Sequence, residues 1–357
     1  MLSQSRLSQS KSFPRRRWSG IPESEQCRTQ LATCGGQPSP GERALTPELL
    51  NQLRRELAPF TDNAPATRES AALLEYLRFY HLDFSSPIGL QHRIGAVSSG
   101  AFNLAVQYWS QPGATHNLVL LHGYFDHVGL FGKLVQYGLS RNCNVLAYDL
   151  PGHGLSSGVP AAIDDFDHYG DSIAAALEAA NLPALPTWVM AQSTGAAALM
   201  NFATRYPWPF SDTVLLAPLL RPVRWCQVRL AHRLLHHFVD SVPRRFAVNS
   251  SDAEFLEFLR QDPLQPLRIP VDWVAALRDW LKRLELVDLG VGPALIVQGD
   301  ADGTVDWRYN LPRCGLLFPG SRIELVPDAG HHLANEAQFM RERYLKAVDR
   351  YINLAES

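Results

Sequence analysis

Six short, predominantly apolar runs recur after residue 117, at 118–121, 145–148, 188–191, 214–217, 295–297 and 323–326. A strand with one wet face alternates polar and apolar side chains, so runs without that alternation suit a parallel sheet covered on both faces. Helical stretches between them, such as 131–139 and 167–180, supply the crossovers that parallel strands require. Two earlier stretches, 91–97 and 104–109, flank the turn-forming Ser98-Ser99-Gly100 and predict a leading antiparallel pair. The pattern is α/β. At 357 residues the chain can bury one full core and carry an appended piece besides.

The remaining segments sort by composition. Residues 1–45 are rich in Ser, Gln and Arg, including Arg15-Arg16-Arg17, and are expected to form a disordered tail. Arg and Ser would suit an organelle-targeting peptide, but Glu23, Glu25 and Glu42 count against one. Two N-terminal helices are expected within 46–87. The first is opened by Thr46-Pro47-Glu48 and the second spans 69–81. The α/β core is expected over 88–220 and 290–357, and a helical lid over 221–289, where the strand–helix alternation stops. There Trp273 and Trp280 stand seven residues apart on one helical face, beside a stripe of Val274, Leu277 and Leu281. An insertion at this point lies over the carboxyl ends of the strands, where open α/β sheets bind ligands.

Trp188-Val189-Met190-Ala191-Gln192-Ser193-Thr194-Gly195 runs from an apolar strand into a small-x-Ser-x-Gly turn, then a helix opening on alanines. Such a nucleophile elbow pushes the serine hydroxyl out at the sheet's mouth. A hydroxyl is too weakly acidic to attack a carbonyl unaided, so a base and an orienting acid are needed. Asp302 follows the strand at 295–297 and is favoured over Asp300 and the more distant Asp306. His331, directly after Gly330, is favoured over His332. The main-chain N–H groups of Thr194 and of Tyr124, which follows Leu121-His122-Gly123, are the expected oxyanion donors. Phe125 and Gln192 are the expected substrate-binding residues.

Other chemistries find little support. A net charge of −2 argues against nucleic-acid binding, and five scattered cysteines suggest a reducing compartment. No apolar run approaches the roughly 20 residues of a membrane span, so a soluble, cytoplasmic protein is expected. His232, His236 and His237 sit at helical spacing without an accompanying His-Glu-x-x-His pattern, so no metal site is expected. Neither a Walker loop nor a strand-borne Gly-x-Gly-x-x-Gly occurs, and no cofactor is expected.

Four separated motifs together resemble the α/β-hydrolase superfamily over roughly residues 88–352. They are His122-Gly123-Tyr124-Phe125-Asp126-His127, the run from Asp149 through Gly152-His153-Gly154 to Gly158, the elbow, and Gly330-His331. Within it the chain is most similar to the monoacylglycerol lipase and lysophospholipase branch, grouped with serine aminopeptidase-like hydrolases. The resemblance implies an eight-stranded, mostly parallel sheet, a Ser193–His331–Asp302 triad, an oxyanion hole at Tyr124 and Thr194, and no cofactor. Asp149 and His153 fall in a motif with a structural role. Departures are Ala191 in place of glycine, the bulky Tyr124-Phe125 pair, and the long polar N-terminus.

The implied substrate is a small-molecule ester or lipid. Residues 221–250 hold six arginines against one acid, Asp240, interleaved with Leu230, Leu234, Leu235 and Phe238. A basic amphipathic lid of this kind can dock on anionic lipid. Alternatively its arginines pair with Asp252, Glu254 and Glu257. Two competing functions stay open: an aminopeptidase or amidase with an acidic pocket at Glu254 or Glu257, and a non-catalytic ligand-binding homologue.

Overall fold

The computed structural model describes residues 45–61, 70–85, 87–284 and 289–353. The tail expected over 1–45 lies outside these residues, save for Leu45, which is buried in the core.

Along the chain come α1 (Pro47–Glu56), α2 (Ala71–Phe79), β1 (Gln91–Ser99), β2 (Phe102–Ser110), β3 (His116–Leu121), α3 (Gly132–Ser140) and β4 (Cys143–Tyr148). Then follow α4 (Asp167–Ala180), β5 (Thr187–Gln192), α5 (Thr194–Ala203) and β6 (Asp212–Leu216). The insertion carries α6 (Trp225–Leu235), β7 (Ser241–Pro243), α7 (Ala253–Gln261), β8 (Arg268–Pro270) and α8 (Val271–Leu284). The chain returns through β9 (Leu295–Gly299), α9 (Trp307–Leu317), β10 (Arg322–Val326) and α10 (Gln338–Tyr351).

Eight strands form one sheet in the order β1-β2-β4-β3-β5-β6-β9-β10. β1 and β2 are antiparallel, β2 meets β4 antiparallel, and every later pairing is parallel. The N-terminal helices begin where capping chemistry allows. Thr46 and Ser70 accept the N–H groups of Leu49 and Leu73, which lack a helical carbonyl behind them.

Strand periodicity divides the core into two layers. Leu118, Leu120, Trp188 and Met190 face one layer with α1, α2, α3 and α10, while Val119, Leu121, Val189 and Ala191 face the other with α4, α5, α8 and α9. Burying each Leu or Val stabilises the fold by about 1.5–3 kcal/mol. The insertion contributes to both layers, α7 through Phe255 and Leu259 to the first and α8 through Trp273, Leu277 and Trp280 to the second. It therefore straddles the end of the sheet. Trp280 stacks on Phe166 at 4.8 Å.

One strand departs from expectation. β10 is an edge strand with a single neighbour, and Ile323 and Leu325 are 50% and 42% exposed rather than covered.

Candidate active site

The elbow is built by strain and by the absence of side chains. Ser193 has φ +52° and ψ −112°, a conformation that costs a non-glycine residue about 1–3 kcal/mol. Hydrogen bonds hold it there: its N–H donates to Leu216 O (2.9 Å), and its carbonyl accepts from Ala196 N (3.0 Å) and Leu219 N (3.2 Å). A Cβ on Gly195 would stand 2.5 Å from Leu121 O and 2.7 Å from His122 O, so only glycine lets α5 lie against the end of β3. Ala191 is fully buried in the sheet between Leu121 and Leu215.

Three strand ends bring their side chains together at this turn. His331 Nε2 lies 2.9 Å from Ser193 Oγ, and His331 Nδ1 lies 2.8 Å from Asp302 Oδ2. The remaining capacity of Asp302 is filled by Thr304 N (2.7 Å), Val305 N (3.1 Å) and Gln298 Nε2 (3.0 Å). A proton on Nδ1, held by the carboxylate, leaves Nε2 free to accept the serine proton. Burial alone would lower the His331 pKa, but the Asp302 carboxylate outweighs it and the net direction is upward. Burial likewise raises the Asp302 pKa, while His331 and the donated hydrogen bonds bring it below the ordinary aspartate value. Asp300 instead accepts from Asp328 N (2.7 Å), joining two loops.

The loop after β3 runs alongside the elbow. A Cβ on Gly123 would come within 3.3 Å of Ser193 Cβ. Thr194 opens α5, so no carbonyl one turn earlier within the helix awaits its N–H. The Tyr124 hydroxyl donates to Ala161 O (2.7 Å), and its ring stacks on Trp273 from the insertion, with centroids 4.0 Å apart. Phe125 has φ +68°, and its ring carries the Arg244 guanidinium at 4.0 Å. Arg244 also donates to Gln265 Oε1 and Pro266 O, and burial lowers its pKa to about 10. Gln192, expected to bind substrate, has its buried Oε1 accepting from Ala334 N (2.9 Å) in the loop that carries His331.

Several polar residues that frame the site had no individual role in the sequence reading. Asp126 Oδ2 accepts from Gly123 N (3.2 Å) and Oδ1 meets His332 Nε2 (2.9 Å), tying the loop after β3 to the histidine loop. Burial raises the Asp126 pKa, but neighbouring His332 more than offsets that and brings it to about 2. His127 Nε2 meets Asp262 Oδ2 at 2.8 Å in a fully buried pair, and Tyr80 OH donates to the other carboxylate oxygen (2.6 Å). This cluster fastens α2, the loop after β3 and the insertion together. Glu336 accepts from Gly330 N (2.5 Å) and Ser251 N (2.8 Å), which fixes the turn before His331 to the insertion. Burial pushes the His122 pKa down to about 3, so that ring is neutral, donating to Gly123 O and accepting from Leu150 N. The only sequence signal for this frame was the clustering of His, Gly and Asp in 122–127.

Asp149 and His153 serve the scaffold, as expected from their motif. Asp149 accepts from Val128 N and Leu155 N at 2.7 Å each, and His153 Nδ1 contacts Pro151 O. Two of the acids expected to neutralise the arginines of 221–250 have other partners: Asp252 pairs with Lys133 (3.1 Å) and Glu257 with Arg260 (3.0 Å) of its own helix.

A mostly parallel eight-stranded sheet with a serine on a strained turn after β5, and an acid and a histidine after later strands, defines an α/β-hydrolase. The family described as "Serine aminopeptidase, S33" matches residues 113–338, and the chain belongs to it. It falls in the monoacylglycerol lipase-like branch. A probable lysophospholipase L2 from Haemophilus influenzae is 24% identical over 280 residues, covering 70% of this chain and 88% of the relative. The monoglyceride lipase of Mus musculus is 28% identical over 272 residues, covering 70% and 86% respectively. Among solved structures, a soluble variant of monoglyceride lipase from Saccharomyces cerevisiae, in complex with a substrate analogue, superposes with a TM-score of 0.64. It shares 16% identity and covers 75% of this chain and 97% of its own.

Proposed function

We propose that this chain is a serine hydrolase cleaving carboxylic monoesters of lipids, such as monoacylglycerols or lysophospholipids, through an acyl-enzyme. The observation that carries the reading is the unbroken hydrogen-bonded line from Ser193 Oγ through His331 to Asp302. His331 takes the serine proton as Oγ attacks the ester carbonyl, and Asp302 steadies the imidazolium that forms. The amides of Thr194 and Tyr124 stabilise the oxyanion. The imidazolium then protonates the departing alcohol, and a water activated by the same ring releases the fatty acid. Relatives named monoglyceride lipase and lysophospholipase support the lipid monoester as substrate.

Residues 221–289 act as the lid. Ser193 and His331 are only 5% and 6% exposed, and Trp273 rests on Tyr124, so substrate must enter beneath the insertion. Phe125 is retained as a substrate-binding residue beside Tyr124. Among the described residues no helix is long and apolar enough to cross a membrane. Contact with a lipid surface would therefore be peripheral, through the exposed Leu230, Leu234 and Phe238 of the lid.

The peptidase alternative needs an acidic pocket for a free amine. Glu257 is engaged by Arg260, and the cavity that Glu254 lines together with Asp252 and Lys133 has none of the triad residues in its lining. The test is a panel of monoacylglycerols, lysophospholipids, short aryl esters and aminoacyl amides, with fluorophosphonate labelling of Ser193. Monoacyl lipids are expected to turn over fastest. Preferential cleavage of an aminoacyl amide would replace the lipase reading, and an enzyme that neither labels nor turns over any substrate would remove the mechanism itself.

A further inference from the structure

A cavity of about 140 Å³ lies between the insertion and α9, apart from the triad. Five cations line it: Arg221 from the strap after β6, Arg229 from α6, Arg278 and Lys282 from α8, and Arg313 from α9. Among the described residues no carboxylate does. Arg278 and Lys282 both contact Asp279, at 2.7 and 3.0 Å, whereas Arg221, Arg229 and Arg313 have no acidic partner among the described residues. Tyr309 orders part of the set. The Arg221 guanidinium lies 3.5 Å from its ring centroid and that of Arg313 lies 5.9 Å away. Guanidinium groups spread over an aromatic face keep their N–H edges available to a ligand.

Five positive charges answered by one carboxylate among the described residues repel one another and attract an anion. The cavity has room for several waters at about 30 Å³ each, and hence for a tetrahedral oxyanion. Planar, multidentate donors arriving from separate elements match the oxygens of a phosphate better than the single plane of a carboxylate. We propose that this cavity is a binding site for the phosphate group of a phosphomonoester, either a small soluble ester or the headgroup of a lipid.

Its place in the fold gives an occupant mechanical consequence. The strap that carries Arg221 pairs with the segment just after Asp302: Val223 N donates to Thr304 O and Asp306 N to Arg221 O, both at 2.9 Å. Thr304 N and Val305 N in turn hold Asp302. A phosphate drawing Arg221 and Arg313 toward α6 and α8 clamps the insertion onto the loop that supports the acid. The inference does not depend on which ester the active site cleaves.

The experiment is calorimetric titration of the full chain with inorganic phosphate and with glycerol 3-phosphate. Sedimentation with phosphatidylcholine vesicles, with and without phosphatidic acid, runs alongside. Arg313→Gln and Arg229→Gln are the test variants, and Arg233→Gln, on α6 but outside the cavity lining, is the control. Saturable binding of a soluble phosphate, weakened about tenfold or more in both test variants and unchanged in the control, assigns a soluble ester. The same pattern confined to phosphatidic acid vesicles assigns a lipid headgroup. Equal loss in Arg233→Gln reduces the cavity to diffuse surface charge and overturns the proposal, as does wild-type protein that binds none of the probes. Melting temperatures in phosphate-free buffer check folding. Should Arg313→Gln melt early, Arg229→Gln on exposed α6 carries the same reading.

Discussion

Helices α5 and α6 follow adjacent strands of the same sheet and differ by one residue in length, yet they have opposite surroundings. In α5 every residue from Thr194 to Phe202 is buried, and the sequence Thr-Gly-Ala-Ala-Ala permits it because small side chains let the helix sit directly on the strands. In α6 only Trp225 is buried, and Leu230 and Leu234, four residues apart, are 59% and 61% exposed. The first helix supplies a fixed geometry, holding one candidate oxyanion amide at a defined place beside Ser193. The second has an apolar face that no described part of this chain covers, and its few buried contacts place it at the low-stability end of the structure. A single chain thus carries a rigid rim and, in the lid proposed above, a loosely held cover.

The sharpest way to break the comparison is at the rim. Ser193→Ala is expected to lower turnover of the best ester by roughly 10⁶-fold with little change in melting temperature. Asp302→Asn comes next, at roughly 10⁴-fold, because the imidazole loses the partner that selects its tautomer. The pH profile separates this from simple misfolding. If His331 is the base proposed above it must be neutral to act, and because its pKa lies above the ordinary 6.5, wild-type kcat/KM is expected to fall as pH drops through a midpoint above that value. Removing the Asp302 charge should move the midpoint to lower pH. A midpoint that stays put in Asp302→Asn would show that the carboxylate does not govern the base.

Between rim and cover stands the buried pair of His127 and Asp262. Asp262→Ala leaves the buried His127 ring and the Tyr80 hydroxyl without their carboxylate partner and is expected to destabilise the fold by about 3–5 kcal/mol, measured by urea denaturation. The pair's own pH dependence has two edges. Burial and the Asp262 charge act oppositely on His127, with a net rise, so its contribution is complete below 6.5 and is lost as pH climbs through the folded-state value. Burial and the His127 charge likewise compete on Asp262, with a net fall, so its contribution is complete above 3.8 and is lost as pH drops through the folded-state value. Wild-type stability attributable to this cluster should therefore be greatest between those two pH values, and flat pH dependence relative to Asp262→Ala would contradict that account.

The contrast also explains what could be read from residues alone. The strands at 118–121 and 188–191 were legible because each packs between two helical layers and leaves no room for polar alternation. β10 misled because an edge strand with Ile323 and Leu325 looks the same in sequence as an interior one. Ser193, Asp302 and His331 stood out because each ends a strand, and local position was enough to propose their meeting. Gln192 did not reveal its role, since its partner Ala334 lies 142 residues away. The same holds for Asp126 with His332 and His127 with Asp262: a single polar residue in a loop has no periodicity from which to read a partner. Trp273 and Trp280 showed a helical face, but not that one ring would rest on Tyr124.

The smallest effect tests the other half of the comparison. Ala198→Leu in α5 must force methyl groups between helix and sheet, and is expected to cost about 1–3 kcal/mol. Leu234→Glu in α6 alters a side chain that is already mostly in water, so stability should change by no more than about 0.5 kcal/mol. If that face docks on lipid, the same substitution should nonetheless reduce sedimentation with anionic vesicles severalfold, because an apolar contact of about 1 kcal/mol or more becomes a charge repelled by the surface. A Leu234→Glu protein that unfolds as readily as Ala198→Leu would show that α6 is held by packing, and would make the cover as rigid as the rim.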